Sequence, residues 1–284
     1  EPLLGDSLLD HVVRARALGF ARIGVETNGH ALAERAAALV DAGLTDVHLS
    51  IHGATARVHD YHTQTAGSFD RIADALAVLS RLSVTTAATT VLTRSNFRVL
   101  GELPLWLHTR GVVAWRLSVP RIAGRAAQAV DRVVPRLALA LPYALHALGA
   151  ARALPLWAGI EGAPLCLLGP FAAHARSGET RALATPCQTC AAKSACPGVD
   201  DYYLQRFGGD ELFALADAPG VGAPDARWSL FVGPGVLAPA PTVAAPTSPA
   251  TARGALPILG RVMPAHAEVP RRAPRQSGEA LRQL

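Results

Sequence analysis

The chain of 284 residues is 50% hydrophobic and 17% charged, with 27 Lys and Arg against 22 Asp and Glu and four cysteines. That size suits one large domain, or one domain with a small appendage. No apolar run reaches the roughly 20 residues that cross a bilayer, since the longest stretch, residues 137–150, contains Pro142 and His146. A membrane protein is therefore not expected.

The net charge of +5 invites a nucleic-acid reading, but its distribution argues against one. From Gly222 onward seven arginines face three acidic residues, so +4 of the +5 falls in a segment that also holds 10 of the 21 prolines. Such a segment reads as a solvated tail of low order, not as a nucleic-acid arm, and the body before it is nearly neutral. The chain begins at Glu1 with no Met and no basic region followed by an apolar one, so it reads as a fragment cut at its N-terminus, without a targeting peptide. A cytoplasmic setting is expected.

Helix and strand periodicities alternate along residues 1–160. Leu8, Leu9, Val12, Val13 and Ala15 recur at helical spacing after Asp6. A β-rich run over residues 21–26 stops at the turn signal Thr27, Asn28, Gly29, and Leu32, Ala36, Leu39 and Val40 mark a second helix ended by Gly43. Residues 47–51 read as a strand closed by His52 and Gly53, and the segment that carries His59 and His62 reads as a polar loop. Ser68 opens a helix with Phe69, Ile72, Leu76 and Leu79 on one face. A strand over 84–92, a helix over 97–108 despite Pro104, a strand over 112–119, a helix over 132–148 and a strand over 154–160 follow.

Five strands alternating with helices are the pattern of βαβ units around a parallel sheet. Entry through a helix suggests one strand missing before Glu1, which makes the expected fold α/β, a partial (β/α)6 TIM-like barrel. A doubly wound open sheet is the alternative. Polar residues collect where the strands end: Glu26, Thr27 and Asn28; Ser50 and His52; residues 93–96; Arg116 and Ser118. Loops at the C-terminal ends of parallel strands are where such sheets bind ligands. Trp115, Trp157 and Trp228 are expected to be packing residues, and His48, His52, His59 and His62 surface or core histidines instead of a metal site.

The cysteines are the sharpest local signal. Cys187, Cys190 and Cys196 have the spacing C-x2-C-x5-C, and Cys166 lies 21 residues upstream of the first. Nothing points to secretion, so a disulfide framework is disfavoured. Four thiolates so spaced suit a metal or cluster centre, either zinc or 4Fe-4S.

Several segments taken together resemble the radical S-adenosylmethionine (SAM) superfamily. Glu1, Pro2, Leu3, Leu4 looks like the end of its Gly-Gly-Glu-Pro motif. Thr27, Asn28, Gly29 is similar to its second-strand Thr-Asn-Gly, and Ser50, Ile51, His52, Gly53 to its Ser-x-Asp-Gly. His59 and Asp60 with Gly67, Ser68 and Phe69, and then the Asn96 segment, follow the family's habit in the same order. The C-x2-C-x5-C run with Gly198 and residues 202–212 resembles the auxiliary-cluster region of the SPASM/twitch group.

The resemblance covers about residues 1–215 and implies three parts: a partial radical SAM barrel over 1–160, a Cys-rich auxiliary-cluster region over 161–215 and a Pro/Ala/Arg-rich linker or tail over 216–284. It implies an enzyme that cleaves SAM at a 4Fe-4S cluster and uses the 5′-deoxyadenosyl radical to take hydrogen from a peptide or small-molecule substrate. The electron donor would be a flavodoxin or ferredoxin. Glu1, Pro2, Thr27, Asn28, Ser50 and His52 would contact SAM, and Cys166, Cys187, Cys190 and Cys196 would hold one auxiliary 4Fe-4S cluster, with zinc as the alternative.

The departures are specific. The family's C-x3-C-x2-C, which holds the SAM-cleaving cluster, is absent, so its ligands would lie outside this chain and the fragment alone is expected to be inactive. His52 stands where the motif has Asp, and Asp200 where the full SPASM pattern has a fourth cysteine. A different class of reading remains, in which the cysteines hold structural zinc in a non-catalytic α/β binding module.

Overall fold

A computed structural model of the chain describes residues 1–82, 84–176, 182–222 and 225–231. A single turn of 3-10 helix, Pro2–Leu4, leads into helix α1 (Leu8–Ala17). Strand β1 (Gly24–Thr27), helix α2 (Leu32–Ala42), strand β2 (Asp46–Ser50) and helices α3 (Ala56–Thr63) and α4 (Ser68–Arg81) follow. Strand β3 (Thr85–Val91), helix α5 (Leu103–His108) and strand β4 (Val112–Ser118) come next. Two single turns, α6 (Arg125–Gln128) and α7 (Val130–Val133), precede the long helix α8 (Leu137–Arg152) and strand β5 (Trp157–Glu161). A two-residue strand β6 (Ala175–Arg176) and helix α9 (Asp201–Phe207) complete the regular elements.

All five expected strands form, and a sixth, β6, joins them. Two residues are too few to leave a periodic signal. His59 and His62 lie on α3, not in a loop: Thr55 adopts extended backbone ahead of the helix, and the N–H groups of Val58 and His59 reach its carbonyl.

The sheet is parallel throughout and its order is the sequence order, β1-β2-β3-β4-β5-β6. A doubly wound sheet reverses direction at a switch point; this one has none. The fold is thus α/β with the strand order of a partial barrel.

Strand parity separates two packed faces. Val25, Val47, Leu49, Ala88, Trp115, Leu117, Ala158 and Ile160 point to the helices and join the main core. There α4 contributes Ile72, Ala75, Leu76 and Leu79, and α8 contributes Leu137, Ala140, Leu141, Ala144, Ala147, Leu148 and Ala151. These are the i, i+3, i+4, i+7 stripes of buried helical faces. On the opposite, inner face Ala87, Ala114 and Trp157 form a second, smaller core.

By length and composition the stretch Val130–Arg152 is apolar enough to cross a membrane. In the fold it breaks between α7 and α8, and α8 packs its apolar stripe against the sheet as a core helix.

Residues 225–231, which sequence composition assigned to the tail, lie against the inner face. Trp228 packs on Ala87, Ala114 and Trp157, with Leu230 and Phe231 beside it. Residues 232–284, the rest of the expected tail, lie outside the described residues.

Candidate active site at the strand ends and on the inner sheet face

At the end of β1 the carboxylate of Glu1 gathers three donors. One oxygen accepts from the Leu3 N–H at 3.0 Å and the Thr27 hydroxyl at 2.7 Å, and the other accepts from the Asn28 N–H at 2.8 Å. Burial works against the charge, but the Asn28 N–H, the Thr27 hydroxyl and the Leu3 N–H outweigh it and hold the Glu1 carboxyl below its ordinary range. Pro2 opens the 3-10 turn, where its missing N–H costs nothing. Arg35 fixes that turn by donating to the carbonyls of Leu3 and Gly5.

Gly29 follows with φ of +77°; a Cβ there would meet Leu49 at 2.9 Å, so both the conformation and the space require glycine. Glu1, Pro2, Thr27 and Asn28, distant candidates in sequence, thus share one corner of the strand ends.

Ser50 ends β2 opposite Thr89 of β3. Two residues on, the ring of His52 stacks on His62 of α3 with centroids 3.7 Å apart, and the backbone N–H of His52 donates to His59 Nδ1 at 3.2 Å. Among the described residues, His52 Nδ1 is buried without a hydrogen-bond partner. Burial first, and then the neighbouring imidazoles, push the His52 pKa far down; burial also lowers His62, and His59 falls to about 4. These rings are neutral at pH 7.

Asn96 ties the strand ends together: its amide donates to the carbonyls of His52 and Val91, and its oxygen accepts from the Thr93 N–H. Beside them a cavity of about 260 Å3 is lined by Tyr61, His62, Gln64, Thr93, Ser95, Arg132 and Val133. Asp60 caps α4 by accepting from Gly67, Ser68 and Phe69, so this candidate motif residue has a structural partner set.

A further arrangement was not read from the sequence. On the inner face a polar belt crosses five strands: Glu26 lies 3.8 Å from His48 Nδ1, and His48 Nε2 meets the Thr89 hydroxyl. Arg116 Nε donates to the same hydroxyl at 3.0 Å, and Arg116 pairs with Glu161 at 3.2 Å. The signal was available as strand parity, because positions 26, 48, 89, 116 and 161 all fall on one face through the pairings Glu26↔His48, Ser50↔Thr89, Thr89↔Arg116 and Ser118↔Glu161. Burial, with Arg116 nearby, lowers the His48 pKa to about 3.

Cys166, Cys187, Cys190 and Cys196 are free thiols that line a single cavity with Pro164, Leu165 and Phe213. The N–H of Leu165 donates to Cys196 Sγ and that of Leu215 to Cys190 Sγ. Burial raises the Cys166 thiol pKa, and Cys196 and Cys187 add to the rise. Among the described residues no group of three or more His, Cys, Asp or Glu is drawn closely enough to hold a metal ion as the side chains stand. Asp200, the departure from the full cysteine pattern, caps α9 through the Tyr202 N–H and accepts the Ile122 N–H.

The family model of the radical SAM superfamily matches residues 1–98. Over these first 98 residues the chain is similar to that superfamily. The matched span contains the Glu1 corner, Ser50, the histidine stack and Asn96. No curated protein matches the chain.

Among solved structures, the chain is similar to a domain of pyruvate-formate lyase-activating enzyme from Bacteroides vulgatus, with a TM-score of 0.45, 13% identity, and coverage of 56% of this chain and 93% of that one. It is also similar to Streptococcus suis SuiB bound to the precursor peptide SuiA, with a TM-score of 0.46, 12% identity, and coverage of 57% of this chain and 36% of SuiB. SuiB bound to S-adenosylmethionine gives a TM-score of 0.44 at 13% identity, covering 57% of this chain and 38% of SuiB. This chain thus spans well under half the length of SuiB.

Proposed function

We propose that the chain is the substrate-facing part of a radical SAM enzyme that abstracts hydrogen from a peptide or small molecule, with an auxiliary iron–sulfur cluster at its four cysteines. The observation that carries this is the Glu1 corner. A carboxylate held ionised between the first turn and the end of β1 is placed to receive an ammonium group, with Thr27 and Asn28 orienting it. The family match over the same residues supports reading that ammonium as the amino group of SAM.

Bound SAM and a reduced 4Fe-4S cluster would supply the 5′-deoxyadenosyl radical that takes the hydrogen. The chain's own residues do the rest. Ser50 stands at the neighbouring strand end as a polar contact, and the neutral His52–His62 stack walls that end from water. Asn96 holds the ends of β2 and β3 in register, and the inner belt presents paired charges to whatever enters.

The cysteine set fits a cluster in its chemistry. All four thiols line one space, and two of the sulfurs accept backbone N–H bonds, which favour thiolate character.

Anaerobic reconstitution of the chain tests the cluster: about four irons and four acid-labile sulfides per chain are expected, and stoichiometric zinc without sulfide overturns it. For the reaction itself, a protein that also carries the C-x3-C-x2-C segment should form 5′-deoxyadenosine from SAM under reduction. Failure to do so with its clusters intact rejects the enzyme reading.

A further inference from the structure

We propose that the inner sheet face carries a binding site for an aromatic side chain and that Phe231 occupies this site in cis. Four groups surround the Phe231 ring. His48 meets it edge-on at 4.9 Å with an interplanar angle of 86°, and the Arg116 guanidinium carbon lies 5.1 Å from its centroid. The rings of Trp157 and Trp228 are centred 6.0 Å and 5.5 Å away. An imidazole edge, a guanidinium and two indoles are the partners that the negative face and positive edge of an aromatic ring attract.

The strand side of this cage is already organised. Thr89 bonds both His48 and Arg116, and Glu161 balances the Arg116 charge, so neither cage group has to be ordered when a ring arrives. Ala87 and Ala114, adjacent in register on β3 and β4, leave the sheet surface low on the same face.

The segment divides its work between two aromatic residues. Trp228 is buried and anchors the turn, which Asp225 caps through the Arg227 N–H while pairing with the Arg227 guanidinium. Phe231, at the end of that turn, is only partly buried, and it is the residue in the cage. A tethered ring competes with free ligand at high effective concentration, so the site is masked rather than absent. The matching ligand is a peptide segment bearing a Phe, Tyr or Trp side chain. That this peptide is the substrate rests on the radical SAM reading; the site itself does not.

Calorimetric titration of the whole chain with N-acetyl-L-tryptophanamide tests the site. Phe231→Ala and Phe231→Leu should bind the amide at least about tenfold more tightly than the unsubstituted chain, because the masking ring is gone. Adding His48→Ala should remove the gain, and N-acetyl-L-alaninamide should not bind.

Equal affinity of the unsubstituted chain and the variants overturns the proposal, as does no binding by any of them. Should Phe231→Ala lose its fold by circular dichroism, Phe231→Leu decides the matter, since it keeps apolar volume without the ring. Amide binding by the variants alongside no 5′-deoxyadenosine from the intact enzyme would reject the radical SAM reading and leave the aromatic site standing.

Discussion

The carboxylate of Glu1 is the side chain on which the candidate site turns, and its chemistry makes a local prediction. Glu1→Gln removes the charge from its three hydrogen bonds and turns one acceptor oxygen into a donor facing N–H groups. Amide exchange at Leu3 and Asn28 should accelerate by about tenfold, the equivalent of roughly 1.4 kcal/mol; unchanged protection would mean that the carboxylate does not order this corner. Because the folded pKa of Glu1 is lowered, its contribution is present above its unfolded pKa of 4.5 and fades as pH falls through the lower folded value. The buried histidines act at higher pH. For a histidine held neutral, the unfolded chain binds the proton first, so stability falls as pH drops below 6.5 and continues to fall toward the folded value, about 3 for His48 and about 4 for His59. At pH 5 each such ring costs on the order of 2 kcal/mol. Urea midpoints measured from pH 7 to pH 5 should fall, and His62→Phe should flatten the curve; parallel curves would show that the stack does not report on acid unfolding. Deep in the core, the Trp115 indole N–H donates to Thr90 Oγ1, which in turn donates to the Ile51 carbonyl. Thr90→Val strands both partners and should cost about 3 kcal/mol in chemical denaturation.

At the scale of elements, the turn after β1 shows what a sequence carries and what it withholds. Thr27, Asn28 and Gly29 were legible as a strand end because glycine and asparagine mark turns. The reason for glycine, a close approach of Leu49 from the neighbouring strand, needed the register of two strands. Gly29→Ala combines a left-handed backbone with that contact and should cost about 2 kcal/mol, seen as a lower Tm with the unfolding enthalpy largely kept. The five longer strands, the apolar stripes of α2 and α4 and the helical stretch of α8 were legible for the same local reason, since periods of 2 and 3.6 are written directly into neighbouring residues. Helix α3 was not, because its sequence is polar and only Val58 and His59 are buried. The cysteines were legible as a set by spacing. The histidine stack was not, since His52 and His62 meet only once α3 folds back over the end of β2. The inner belt lies in between: the sequence marks Glu26 and Arg116 as polar residues near strand ends, but their connection through His48 and Thr89 depends on three strand pairings at once.

Across the whole molecule, the unbroken strand order sets the sequence in which contacts can form. Each strand from β1 to β5 pairs with the next one in the chain, across separations of between about 15 and 45 residues, so the sheet can assemble by successive closures of moderate loops. The packing of residues 225–231 on the inner face is of another kind, since Phe231 meets His48 from more than half the chain away. A contact that spans so much chain adds the most loop entropy and gains little until the strands beneath it are in place. It should therefore form on the native side of the folding barrier. In stopped-flow experiments Phe231→Leu is expected to speed unfolding while leaving the refolding rate within a factor of about two; a slowed refolding limb would place this segment in the nucleus. The aromatic segment then behaves as a kinetic latch, added last to a finished sheet and released first, so the inner face can be uncovered without unfolding the strands that form it.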